Sequence, residues 1–219
     1  MGPSTRFPSL LLVVVALAMT GYGVFKLYRF WEVGPVSPGR SPDREIHATV
    51  LPVASPLPAI DLVDHTGAPF THENLASRWS YLFFGYTLCP DVCQPAVLVM
   101  SQLSELLSEQ PKSRRPQVVF ISIDPERDTP EVLKEYISRF EAPMIGVTGK
   151  LTHLKALTDP LGIFFQRSPE PFPDGYYKMD HTMSILLIDP EGRLRAISSS
   201  PHDAFVIAKD FTRIISLGG

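Results

Sequence analysis

Tyr81-Leu82-Phe83-Phe84-Gly85-Tyr86-Thr87-Leu88-Cys89-Pro90-Asp91-Val92-Cys93 is an apolar run that breaks into a loop carrying two thiols. Tyr81 to Tyr86 reads as a buried strand. Ala96, Val97, Met100, Leu103, Leu106 and Leu107 then recur at helical spacing and predict a helix from Gln94 to Gln110, with Pro95 near its first position. A strand that enters a helix through such a loop sets two sulfurs at a helix N-terminus. There the unpaired backbone N–H groups and the helix dipole favour thiolate over thiol. Residues i and i+4 on a helix rise about 6 Å and share a face. That lies within the Cα separation of about 4.4–6.8 Å that a disulfide needs. The pair can therefore close to a disulfide, exchange with another thiol or chelate one soft metal ion. A plain structural staple is the duller alternative. It closes so few residues that its entropic gain is small, and a domain of this size does not need one.

These are the only two cysteines among 219 residues, 44% of which are hydrophobic. Once the N-terminus is set aside, that leaves one domain of ordinary size. A formal net charge of −3 gives no electrostatic case for nucleic acid as a partner.

The N-terminus, 1–33, reads as a membrane anchor. Phe7 to Phe25 is almost wholly apolar, and Tyr22, Tyr28, Trp31, Lys26 and Arg29 suit an interfacial belt. Ala16-Leu17-Ala18 also offers a signal-peptidase site, but the apolar run continues past it. The basic residues on the two sides of the span nearly balance, so they do not orient it. Residues 34–56 hold Pro35, Pro38, Pro42, Pro52 and Pro56 and read as an extended linker.

The domain proper is expected over 57–219. Ile60–Val63 and Ala68–Phe70 flank a turn at Asp64-His65-Thr66-Gly67. Val118–Ile123 is a second buried strand. Thr129-Pro130-Glu131 starts a helix whose inner face is Val132, Leu133, Tyr136, Ile137 and Phe140. A short strand at Met144–Thr148, a helix at Thr152–Thr158 and a strand at Ile163–Gln166 follow. Ser184–Asp189 and Leu194–Ser198 form a hairpin, and Ser200-Pro201 caps a last helix with Ala204, Ile207, Ala208, Phe211, Ile214 and Ile215 inward. Interleaved strands and helices around a mixed sheet, with thiols after the first long strand, predict an α/β, thioredoxin-like fold. In such sheets reactive groups gather at the carboxyl ends of the strands.

His181 closes an irregular loop, Arg167 to Met179, just before a strand. It is a candidate third ligand, and a surface or satisfied core histidine is the plainer alternative. Three blocks then carry a resemblance: Gly85-Tyr86-Thr87-Leu88-Cys89-Pro90-Asp91-Val92-Cys93, Ser122-Ile123-Asp124-Pro125-Glu126-Arg127-Asp128-Thr129-Pro130 and Asp180-His181-Thr182-Met183-Ser184. In order and spacing they resemble the Sco/SenC family. The resemblance spans the soluble domain.

The resemblance implies a thioredoxin-like domain tethered to a membrane and binding one copper ion through Cys89, Cys93 and His181. It implies a metallochaperone rather than an enzyme, supporting assembly of the copper centre of cytochrome c oxidase. The expected partner is an oxidase subunit or another copper chaperone. The expected location is the bacterial inner membrane, as a single-pass protein facing the periplasm, because no Arg- and Ser-rich transit segment precedes the anchor. Thiol–disulfide reduction of a copper-site target is the alternative activity, and a peroxidase or sensor role would use the same thiols. Many family members carry His at the place of Leu88 and Pro at the place of Gln94; neither is a family ligand. Asp124, Glu126, Arg127 and Asp128 could steady the site or dock a partner, or simply form a solvated loop. Met179 and Met183 are conceivable thioether donors. Pro90 and Asp91 have plain readings in turn geometry and in helix-end charge.

Overall fold

The computed structural model describes residues 46–89, 93–169 and 176–217. The anchor assigned to 1–33, the linker residues 34–45, and Pro90 and Asp91 lie outside them. Among the described residues no helix is long and apolar enough to cross a membrane.

The strands are β1 (Thr49–Pro56), β2 (Leu62–Asp64), β3 (Pro69–Phe70), β4 (Ser80–Gly85), β5 (Gln117–Ser122), β6 (Ile145–Thr148), β7 (Phe165–Arg167), β8 (Met179–His181), β9 (Ile185–Ile188) and β10 (Arg193–Ser198). The α-helices are α1 (Cys93–Leu106), α2 (Pro130–Ile137), α3 (Leu151–Thr158) and α4 (Ala204–Leu217). Eight strands form one sheet in the order β1-β10-β9-β4-β5-β6-β2-β3, while β7 and β8 form a separate ribbon. β4, β5 and β6 run parallel because α1 and α2 return the chain between them. The remaining pairs are antiparallel.

Alternation along β4 splits the core. Tyr81 and Phe83 face a layer with Val97 and Met100 of α1, Leu133 and Tyr136 of α2, and Ile207 and Phe211 of α4. Leu82 and Phe84 face the opposite layer, with Leu154 and Leu157 of α3. The result is a mixed sheet between helical layers, the α/β arrangement expected from the sequence.

Three local expectations change. Thr49–Pro56, read as linker, is edge strand β1, pairing Thr49 with Ile197 and Val50 with Ala196. Pro52 and Pro56 suggested a tether, but an edge strand tolerates residues that lack an N–H. A register shift between Val50 and Ser55 absorbs the irregularity. The compact unit begins at Ile46, and the carboxylate of buried Asp210 on α4 accepts the backbone N–H groups of His47 (2.9 Å) and Ala48 (2.7 Å). Second, α4 is capped by Asp203, whose Oδ1 accepts from Phe205 N (2.9 Å) and Val206 N (3.0 Å), not by Ser200-Pro201. Third, Met179–His181 is a strand, paired with Phe165–Arg167, rather than the end of an irregular loop. Thr129 does cap α2, its Oγ1 accepting from Val132 N at 3.4 Å.

Gly85 closes β4 where the layers converge on the thiol loop. A Cβ there would stand 3.0 Å from the Phe120 ring, 3.2 Å from Phe83 and 3.4 Å from Cys93 Sγ. Gly85→Ala is therefore expected to lower stability by about 1–3 kcal/mol through overpacking. Denaturant unfolding checks this; an unchanged midpoint would show that the ring and sulfur shift freely.

Candidate metal centre

β4 and β5 are parallel and in register to their ends, with Gly85 opposite Ser122. The chain leaving β4 therefore enters the thiol loop beside the chain leaving β5, which forms the 123–129 loop. β9 is antiparallel to β4 and pairs Ile185 with Phe83. The chain entering β9 consequently arrives at the edge from which β4 departs, which is how His181 reaches the thiols across 88 residues.

Cys89 Sγ, Cys93 Sγ and a nitrogen of His181 lie within 4.8 Å of one another. Cys93 Sγ is 3.2 Å from His181 Nε2, and Cys93 N donates to Cys89 Sγ at 3.3 Å. His181 Nδ1 is 3.0 Å from the Thr182 carbonyl, which can only accept. The proton therefore sits on Nδ1, and the lone pair of Nε2 points toward the sulfurs. The imidazole is held edge-on by Phe83 (centroids 6.4 Å apart, 71°) and Tyr86 (6.1 Å, 83°). Two soft thiolate donors and one borderline imidazole within this span suit a single soft or borderline cation.

The thiols are more hidden than their place at a helix start suggested. Cys89 is 4% exposed and Cys93 0%. The Cys93 thiol is pushed well above its ordinary pKa, first by its hydrogen bond with Cys89 and then by burial. These effects outweigh the helix-end field, so without a bound cation Cys93 is a thiol rather than the expected thiolate. Burial likewise holds the Tyr86 phenol above its usual range, with Cys89 contributing.

Other residues support the three donors. Tyr86 was read only as the end of a core strand, yet it packs on His181. Asp128, one of four residues noted in the 123–129 loop, is buried at 1% exposure. It accepts from Thr87 N (3.0 Å), Thr87 Oγ1 (2.6 Å) and Ser122 Oγ (2.5 Å), tying the thiol loop to the end of β5. Asp124 pairs with Arg127, so the proposed Arg–carboxylate contact exists, while Glu126 pairs with Arg167 (2.6 Å). Met179 packs against the core layer of Phe165 and Ile123, and Met183 against the opposite layer. Leu88 is half exposed, and its carbonyl accepts from the Tyr176 hydroxyl. Gln94 is exposed on α1.

A mixed α/β sheet with paired loop thiols and an imidazole at the carboxyl edge of its parallel strands defines a thioredoxin-like protein with a Cys–Cys–His centre. The chain belongs to the SCO1/SenC family, whose model matches residues 57–216. It is 36% identical over 152 residues to the SCO2-like protein of Rickettsia felis, covering 68% of this chain and 73% of that one. Among solved structures it resembles Arabidopsis thaliana ScoI with copper bound (TM-score 0.68, 27% identity, 74% of this chain and 98% of that). It also resembles yeast Sco1 with copper bound (TM-score 0.67, 30% identity, 74% and 89%).

Burial holds the Asp128 carboxyl above its ordinary value of 3.8, against the hydrogen bonds that favour the charged form. The folded state thus binds this proton more tightly than the unfolded chain. Asp128's contribution to stability is present below 3.8 and is lost as pH rises through the higher folded-state value. Asp128→Asn should flatten this part of the stability–pH curve. Asp128→Ala, which strands the Thr87 and Ser122 donors, should cost about 1–3 kcal/mol for each donor left buried and unsatisfied. Chemical denaturation across pH 4 to 7 (about the range that linkage addresses) reads both; parallel wild-type and Asn curves would contradict the assignment.

Proposed function

We propose that the chain is a membrane-tethered copper metallochaperone. It binds one copper ion as cargo through Cys89 Sγ, Cys93 Sγ and His181 Nε2. The observation that carries this reading is the convergence of those three donor groups within 4.8 Å, with Nδ1 engaged by the Thr182 carbonyl and Nε2 facing the sulfurs. Two thiolates select Cu(I), and an imidazole retains the ion on oxidation to Cu(II). Three protein donors leave the coordination sphere open, as transfer to a recipient requires. Zinc suits the same donors with an added water, so preference between the two rests on geometry and supply.

Membership of the family and the copper-bound state of the two structural relatives support copper over other soft ions. The recipient in this reading is the copper centre of cytochrome c oxidase, reached directly or through another copper chaperone. The apolar stretch within 1–33 supports a membrane anchor; in this reading the membrane is a bacterial inner membrane and the domain faces the periplasm.

A second reading has its own observation: the sulfurs are near enough for Cys89 and Cys93 to interconvert between dithiol and disulfide. In that reading the dithiol is oxidised as a target disulfide is reduced, by thiolate attack through a mixed disulfide. The burial of both thiols favours the copper reading, since a target disulfide must reach a sulfur.

Anaerobic titration of the reduced 219-residue chain against a competing Cu(I) chelator tests the proposal. The expected result is one tightly held copper per chain, lost with Cys89→Ser or Cys93→Ser. His181→Ala should weaken Cu(II) binding more than Cu(I). Weak copper binding together with rapid reduction of disulfide substrates would transfer the assignment to thiol exchange.

A further inference from the structure

His181 hangs on a short ribbon that pairs Phe165 with His181, Gln166 with Asp180 and Arg167 with Met179, with Ser168 N donating to the Lys178 carbonyl (2.8 Å) and Thr182 N to the Phe164 carbonyl (2.9 Å) at its ends. A two-stranded ribbon is at best marginally stable by itself. Its position over the thiols therefore depends on what holds it down.

Arg127 does so while standing outside the donor set. Its Nη1 donates to the Tyr177 carbonyl at 3.0 Å, and its Nε pairs with buried Asp124. The Tyr177 hydroxyl donates to the other oxygen of Asp124 at 2.7 Å, closing a ring of contacts. The guanidinium carbon lies 3.5 Å from the Tyr177 ring centroid. Arg167 approaches the same ring to 3.7 Å, so Tyr177 is held between two guanidinium planes. Arg127 also lies 5.5 Å from the Tyr176 ring and 5.6 Å from the Tyr86 ring. Tyr176 reaches the Leu88 carbonyl beside Cys89, and Tyr86 packs on His181. Arg127 Nη2 is buried with no acceptor among the described residues.

We infer that Arg127 is a positioning residue for His181: through Tyr177 and Tyr176 it clamps the imidazole-bearing ribbon onto the thiol loop. The inference rests on the copper reading above and adds the device that presents the third donor. The two thiols come from the loop and helix after β4, where Asp128 ties the loop to β5 by its own hydrogen bonds to Thr87 and Ser122. Loosening the clamp therefore removes the nitrogen donor selectively. Cu(II), which needs the imidazole, should be affected more than Cu(I), which two thiolates hold.

The test uses Arg127→Lys in the 219-residue chain, which keeps the charge and removes the planar fork and its stacking. Three readouts are compared with the wild type and with His181→Ala. In the metal-free protein, amide hydrogen exchange should accelerate in 176–182 while β4, β5 and α1 keep their protection. Cu(II) affinity should fall by about 10–100-fold, the usual cost of losing a group that orients a ligand. The nitrogen hyperfine signature of Cu(II) should move toward that of His181→Ala, with Cu(I) affinity changing less. Wild-type exchange and a wild-type Cu(II) signature in the variant would overturn the inference. If Arg127→Lys does not fold, Tyr177→Leu carries the same readouts with the same criteria. Failure of the wild type to bind copper would count against the proposed function alone, because exchange in the metal-free chain still decides the clamp.

Discussion

The antiparallel pairing of β9 with β4 is the constraint on which the candidate centre depends. With Phe83 opposite Ile185, the residues just before β9 must lie at the edge where β4 releases the chain. The parallel β4–β5 pair brings the 123–129 loop to that same edge. Three segments far apart in sequence are thereby gathered at one end of the sheet, and hydrophobic burial enforces the register. Slipping β9 by one residue would turn Ile185 and Leu187 out of one core layer and Leu186 and Ile188 out of the other. The geometry of the candidate centre is thus secured largely by apolar side chains of the core.

Around that edge, polar groups refine what the sheet only approximates. Asp128 fixes the thiol loop to β5, and the Thr182 carbonyl fixes the His181 tautomer. Tyr86 connects the two sides, packing on the imidazole beneath the Arg127 guanidinium. The buried thiols are held by one another and by their surroundings, which pushes the Cys93 pKa up. A site of this kind is protected from indiscriminate thiol chemistry while offering a soft ion three donors at once.

The sequence was most informative where periodicity and loop chemistry coincided. The run Tyr81–Tyr86, the stripe on α1, the Thr129-Pro130 helix start and the β9–β10 hairpin all have local causes, and each appears within a few residues of its expected place. β1 was missed because its prolines mimic a tether, and only the pairing with β10 reveals an edge strand. Asp203 was overlooked beside Ser200-Pro201, since several residues before α4 could serve as its cap. At the centre, the cysteines were legible from spacing. His181 became a strong candidate only through the family resemblance, because nothing local distinguishes a ligand from an ordinary histidine. Tyr86 and Tyr177 were not legible as supports: their roles arise from contacts across the fold, and their local surroundings read as strand and loop. The burial that raises the Cys93 pKa was hidden for the same reason.

The central claim is that two sulfurs and one imidazole nitrogen of this chain share a single copper ion. X-ray absorption spectroscopy of the anaerobically loaded Cu(I) protein examines that claim at the metal itself. The account predicts a coordination shell of two sulfurs and one nitrogen, with the nitrogen contribution absent in His181→Ala. A shell containing sulfur alone, or a nitrogen contribution that survives His181→Ala, would contradict it.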